Sequence, residues 1–297
     1  MLPLKIGTCS WKYDSWKGII YSENAGKNYL QEYARHYSTV EIDQWFWSLF
    51  PGSPPVLPKR EIVKEYVDSV PRDFHFAVKV PNSITLTHYY QKGTSSALER
   101  NPYFLSVDLF SDFLETLAPM QDQLGPLMFQ FEYLNRDKMT SQDEFIKQFE
   151  VFIAKCPSHY TYALEIRNPN YLNKKYFEFL HGNNLFHVFL QGYYMPPIFP
   201  LYQSYRHYIK SMTVIRLHGP DRSGMEKKTQ GDWSQIIAPK DDELSQLVRM
   251  ILDLWGDKVD AHVYVNNHYE GSAPKSIRRI LERFSEMNQH ASTLAFL

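Results

Sequence analysis

Thr39-Val40-Glu41-Ile42-Asp43 and Tyr162-Ala163-Leu164-Glu165-Ile166-Arg167 are two short runs in which apolar residues alternate with charged ones. Side chains two apart on a strand point the same way. Each run therefore predicts a strand with one apolar face and one face that carries charge toward its C-terminal end. Similar apolar or β-branched runs recur at 4–8, 74–80, 127–131, 186–190, 213–217 and 262–265. Helix-period segments separate them, at 29–36, 59–67, 105–117, 143–155, 174–181, 242–255 and 276–284. The stretch 202–209 also reads as helical, with Pro196, Pro197 and Pro200 making its approach irregular. The order is β then α throughout, without a linker or low-complexity break. Such alternation predicts an α/β protein, a single (β/α)8 TIM-type parallel barrel domain over 1–297, with a long loop and helix insertion at about 81–125. A doubly wound sheet is the competing fold.

Composition narrows the function classes. The 297 residues are 43% hydrophobic, enough for a large core. No apolar stretch reaches the roughly 18 residues of a membrane span, and 1–7 lacks the apolar run of a secretory signal, so a cytoplasmic protein without a membrane partner is expected. Cys9 and Cys156 form no CxxC pair, which argues against a disulfide framework or a structural zinc site. The formal net charge of −1 does not support charge-driven binding to nucleic acid. Aromatic content is 15%, which suits either a large core or aromatic-lined clefts.

If the apolar face of each strand meets the helices, the other parity points into the barrel. That rule turns inward Lys5, Gly7 and Cys9 on the first strand, Glu41 and Asp43 on the second, His75 and Lys79 on the third, and Gln130 on the fourth. It selects Glu165 and Arg167 on the fifth, His187 and Gln191 on the sixth, Arg216 and His218 on the seventh, and His262, Tyr264 and Asn266 on the eighth. The C-terminal member of each set falls where barrel enzymes place their chemistry. Glu41, Lys79, Glu165 and Arg216 then form either a functional pocket or a paired ionic layer that plugs the barrel.

These residues sit within a wider set of motifs. Gly7-Thr8-Cys9-Ser10-Trp11, Val40-Glu41-Ile42-Asp43 with Trp45-Phe46, Phe76-Ala77-Val78-Lys79, Thr87-His88, Leu124-Gly125-Pro126, Gln130-Phe131, Glu165-Ile166-Arg167-Asn168, Arg216-Leu217-His218-Gly219 and Tyr264-Val265-Asn266-Asn267-His268 occur in that order. Together they resemble the YecE-like family, known as domain of unknown function 72, from about residue 6 to 280. The resemblance implies a TIM-type barrel and brings no established reaction. Two positions depart from the family pattern. Ser10 stands where the family commonly has Gly, and Asp43 where it commonly has Asn, which adds a negative charge at the rim.

For catalysis, Glu41, Glu165, His218 and His88 supply an acid–base set. For substrate binding, Lys79, Arg167 and Arg216 offer cationic groups for an anion, with Gln130, Asn266 and Asn267 as polar neighbours and Trp11 and Trp45 as stacking surfaces. Ser272 before Ala273-Pro274 has the form of a helix start, whose free N–H groups favour an anion. Cys9 offers a nucleophile if Lys79 or His218 lowers its pKa; a small buried thiol is the ordinary alternative. Trp11, Trp16, Trp45, Phe46, Trp47, Tyr89 and Tyr90 follow the first three strands, and 82–101 has the makeup of a lid. No HxH or HExxH cluster occurs, and Lys79 and Arg216 would compete with a cation, so no metal or other cofactor is expected. The reading is an acid–base enzyme acting on a small anionic molecule, a sugar phosphate or nucleotide-like substrate, by hydrolysis or isomerisation. The alternatives are a metal-dependent phosphodiesterase and a non-catalytic protein that binds nucleic acid or a metabolite.

Overall fold

The computed structural model describes residues 4–24, 26, 28–90 and 98–294. Among them lie eight strands: β1 (Leu4–Thr8), β2 (Thr39–Ile42), β3 (His75–Lys79), β4 (Leu124–Phe131), β5 (Tyr162–Ile166), β6 (Phe186–Gly192), β7 (Met212–Gly219) and β8 (Asp260–Val265). They follow one sheet order, β1-β8-β7-β6-β5-β4-β3-β2, with parallel ladders, and a parallel bridge from Cys9 to Glu41 joins the chain after β1 to β2. This is the (β/α)8 TIM-type arrangement. The helices are α1 (Tyr29–Tyr33), α2 (Arg60–Asp68), α3 (Asn82–Thr85), α4 (Val107–Leu117), α5 (Gln142–Ile153), α6 (Lys174–Gly182), α7 (Ile198–Tyr205), α8 (Arg222–Thr229), α9 (Asp241–Gly256) and α10 (Ala273–Leu294). Side-chain caps start several of them: Asn28, Ser106, Ser141, Asn173 and Asp221 each accept from the amide three residues on.

The chain packs as two compact units, one comprising Met1–Glu41 and Val188–Leu297, the other Ile42–His187. In the second unit, α5 presents Phe145, Phe149 and Phe152 at helical spacing, all buried. Phe129 meets Phe149 and Phe152 edge-on, with ring centroids at 5.3 and 5.7 Å, and Phe131 meets Phe145 at 4.9 Å. Much of the aromatic content thus serves the layer between β4 and α5. In the first unit, Leu244, Leu247, Val248 and Ile251 of α9 are likewise buried.

Three sequence expectations are corrected here. The helix expected from 202 begins at Ile198, directly after Pro197. Pro200 lies in the first turn, where amide protons have no intrahelical partner, so the prolines start the helix instead of obstructing it. Strand β4 begins at Leu124 and includes Gly125 and Pro126. The parity of β6 is the reverse of that expected. Phe186 is in register with Ala163 and His187 with Leu164, while Leu190 pairs with Arg216, so the face shared with Glu165 and Arg216 belongs to Phe186, Val188 and Leu190. His187 Nδ1 instead meets the Tyr176 hydroxyl of α6 at 3.1 Å, and Gln191 Oε1 accepts the Ile198 N–H of α7 at 3.0 Å. A strand apolar on both faces carries no parity signal, and its two polar side chains found partners in the helix layer. The expected lid at 82–101 contains α3, while 91–97 lie outside the described residues.

Candidate functional site

In the first unit, the chemistry gathers where β1, β2 and β7 end. Glu41 and Arg216 are almost wholly buried, at 0% and 2% exposure. They form a two-point fork: Arg216 Nε donates to Glu41 Oε2 at 2.8 Å and its Nη2 to Oε1 at 2.7 Å. Alternation on β2 and β7 puts each charge on the polar face, and flanking Val40, Ile42, Ile215 and Leu217 anchor the opposite faces in the core. Cys9 Sγ donates to the same Glu41 Oε2 at 3.3 Å and lies 3.7 Å from His218 Nε2. His218 Nδ1 lies 3.1 Å from the Tyr193 hydroxyl. With His218 neutral, one set of protons satisfies each of these links. If Cys9 S–H points at the carboxylate, the sulfur is left to accept from His218 Nε2–H, and Nδ1 is left to accept from Tyr193 O–H. The result is a directed chain from half-buried Tyr193 through His218 and Cys9 to Glu41.

Tyr193 takes its place through an unusual backbone approach. Gly192 has φ +138° and Gly219 φ +75°, and a Cβ at Gly192 would lie 2.3 Å from the Gly219 carbonyl oxygen. The register slips between Gln191 and Gly192, and the Tyr193 N–H donates to Gly219 O at 2.8 Å, which sets the phenol beside His218 with ring centroids 5.5 Å apart and the rings tilted by 33°. Ser10, on the other side of Cys9, has φ +80°, the left-handed region where glycine is at ease, and its N–H donates to Glu41 O at 3.0 Å. A glycine would adopt this conformation freely, whereas Ser10 adopts it under strain. Ser10→Gly is expected to raise stability by about 1 kcal/mol; a lowered denaturant midpoint would show instead that the serine side chain is needed.

Other polar groups of the first unit follow β7 and β8. Arg222, at the start of α8, pairs with Glu226 at 2.8 Å, and His268 Nε2 reaches the same carboxylate at 3.1 Å. The Arg222 pairing pulls the Glu226 carboxyl below the usual range, while burial pushes the His268 imidazole down. Asn266 and Asn267 are turned to structural use: Asn266 Oδ1 accepts from the His268 backbone and ring, and Asn267 Oδ1 accepts the Ala273 N–H at 2.8 Å. The turn at Gly271 is covered by the protein's own chain, with Ile237 and Ala238 N–H both donating to Glu270 O. The start of α10 therefore spends its first amide on Asn267 and offers no amide at Pro274. Trp11 is buried, at 2% exposure, and its carbonyl accepts from Tyr21.

In the second unit, Glu165 is 1% exposed and accepts from Arg167 Nε at 2.9 Å. Gln130 is in register with it on β4. Lys79 ends β3 with its ammonium 3.9 Å from the centroid of Phe46, a cation–π contact. His187 is fully enclosed, and burial pushes its imidazole down to about 3 against the opposing pull of Glu165. Trp45 stacks on Tyr66 of α2 at 5.6 Å and 10°, while Trp47 and Tyr90 are largely exposed. His88 lines a cavity with Thr87, Arg100 and Lys138, among whose described walls Lys79, Gln130 and Glu165 do not figure. Of the acid–base set read from the sequence, Glu41 and His218 share one hydrogen-bonded chain in the first unit, while in the second unit Glu165 pairs with Arg167 and His88 lines this cavity. Reading the sequence missed Tyr193 and Arg222. The signal available for both was position alone, since each follows closely on a strand C-terminus that ends in glycine.

Among the described residues no group of three or more His, Cys, Asp or Glu side chains is placed to hold a metal ion, and no helix is long and apolar enough to cross a membrane. Fold and site together define a (β/α)8 protein with buried, ion-paired polar groups at the C-terminal ends of its strands. Within that class the chain belongs to the protein family of unknown function DUF72, whose pattern matches residues 5–295. It is 25% identical over 169 residues to the UPF0759 protein YecE of Escherichia coli K12, a match that covers 57% of this chain and about half the length of that relative, 50%. It is 22% identical over 293 residues to the UPF0759 protein YunF of Bacillus subtilis, covering 93% of each. Crystal structures of DUF72 family proteins share the fold. The Enterococcus faecalis protein has a TM-score of 0.68 at 19% identity over 95% of both chains, and the Thermotoga maritima protein 0.64 at 20% identity over 96% of this chain and 99% of that one.

Proposed function

We propose that the protein is a proton-transferring enzyme acting on a small anionic substrate, a sugar phosphate or nucleotide-like molecule, by isomerisation or hydrolysis. The observation that carries the reading is the directed chain Tyr193–His218–Cys9–Glu41, closed by Arg216. His218 is its acid–base member. It takes the Tyr193 proton at Nδ1, leaving a phenolate to act on substrate, and returns the proton when the phenolate is reprotonated. Cys9 and Glu41 orient the imidazole from the far side, and the carboxylate favours the imidazolium formed in passing. Arg222, close enough to Tyr193 for their charges to interact, is the cation placed to meet the substrate's anionic group. A cytoplasmic setting agrees with Cys9 and Cys156 forming no disulfide among the described residues.

The test is a screen of phosphorylated sugars and nucleotides against their neutral counterparts. Turnover is expected for a phosphorylated compound only. His218→Gln is expected to lower kcat by about 10²–10⁴-fold with the melting temperature kept, and Tyr193→Phe to lower it in the same sense. Full turnover by His218→Gln, or turnover confined to neutral compounds, would reject the assignment.

A further inference from the structure

The second unit contains a cavity of about 430 Å³, walled by the segment that follows β3 and the segment that follows β4, both at the C-terminal ends of their strands. Its backbone is fixed. His88 and Arg100 form an antiparallel bridge, with the Asn101 N–H donating to Thr87 O and the Tyr89 N–H to Glu99 O, each at 3.0 Å. Asn101 Nδ2 ties this bridge to Ser83 O and Leu86 O. Across the cavity, Asn135 closes the turn that carries Arg136 and Lys138 by accepting the Lys138 N–H with both its carbonyl and its side chain. Rigid backbone on both walls thus presents three cationic side chains to one space.

The charges in that space are unevenly committed. Lys138 is paired with Glu132 at 2.6 Å, and Glu144 accepts from Gln148 at 2.6 Å. The Arg100 and Arg136 guanidinium groups have neither an ion pair nor a hydrogen bond among the described residues, and both side chains belong to exposed residues. Asp137 also lines the cavity, so three cationic residues face two acidic ones. At the His88 end the field is positive: after burial, Lys138 and Arg100 push the imidazole down, and Glu132 opposes them. His88 Nδ1 is engaged by Thr87 Oγ1 at 2.9 Å, which leaves Nε2 as the ring nitrogen for a ligand.

We infer that this cavity binds a small phosphorylated molecule, its phosphoryl group taken by the Arg100 and Arg136 guanidinium groups and a further oxygen by His88. Two planar forks offer about ten N–H donors, more than one carboxylate can accept and well matched to the terminal oxygens of a phosphate monoester. The cavity volume falls within the range of small-molecule sites, larger than inorganic phosphate alone requires, and Phe104 lines it as an apolar surface for the rest of the ligand.

The test uses the full chain with its histidine rings labelled with ¹⁵N, and the His88 signal assigned with His88→Gln. Inorganic phosphate and glycerol 3-phosphate, added at constant ionic strength, are expected to shift the His88 ring signals saturably, glycerol 3-phosphate at the lower concentration. Arg100→Gln and Arg136→Gln are each expected to weaken that binding about tenfold or more, with unchanged melting in the absence of ligand because both side chains are exposed. His218→Gln should leave it unchanged, so this site stands or falls separately from the proton-transfer reading. An unmoved His88 signal, equal affinity in the Arg100→Gln/Arg136→Gln double variant, or succinate binding as tightly as glycerol 3-phosphate would each overturn the inference.

Discussion

Arg216→Met is expected to lower the unfolding free energy by about 3–5 kcal/mol, the cost of leaving a buried carboxylate without its partner. Glu41 is 0% exposed, so water cannot replace the two guanidinium bonds at 2.7 and 2.8 Å. Without Arg216, Glu41 keeps the weak Cys9 S–H as a side-chain donor among the described residues of the first unit. The double variant Glu41→Gln/Arg216→Met is expected to be more stable than Arg216→Met alone, since it removes the lone charge along with its partner. Urea unfolding of the wild type, Arg216→Met and the double variant measures both effects. A loss below about 1 kcal/mol in Arg216→Met, the range of solvent-screened pairs, would mean that water reaches Glu41.

Gly7→Ala is the second large effect. A Cβ there would lie 2.1 Å from the Thr39 carbonyl oxygen and 2.9 Å from its carbon, both backbone atoms that no rotamer change can move. The obstacle lies where β1 passes β2, and Tyr33 locks the two strands there. Its hydroxyl accepts the Thr8 N–H at 2.9 Å and donates to Thr39 O at 3.0 Å. Relief would therefore require β2 to shift, and Glu41 with it. A destabilisation of about 3 kcal/mol is expected, at the upper end of overpacking costs. Unchanged unfolding would show that the strands separate without penalty.

The β/α order and the faces of seven strands were legible because alternation on a half-polar strand has one solution: the apolar parity meets the helices. Thus Glu41, Lys79, Gln130, Glu165, Arg216 and His218 could be read from the sequence as buried or near-buried polar groups at strand C-termini, and they are. On β6 the same rule failed, because Phe186, Val188, Phe189 and Leu190 make both faces apolar and leave His187 and Gln191 without a preferred side. The prolines before α7 were misplaced for a related reason: a proline's effect depends on which turn of the helix it occupies.

What the sequence determined by itself was the set of polar side chains brought to the strand ends, since strand periodicity is local and a two-residue period assigns faces without knowledge of neighbours. Which of those side chains touch was decided only by tertiary structure. Glu41 and Arg216 are 175 residues apart, and Cys9 and His218 are 209 apart. Strand register, the slip at Gly192 and the left-handed backbone at Ser10 join them into one hydrogen-bonded chain, and no local pattern encodes those distances. The same holds for His88. Its place beside Arg100 and Lys138 follows from two loops meeting after β3 and β4, a contact set by the packing of the sheet and not by the residues around it in sequence.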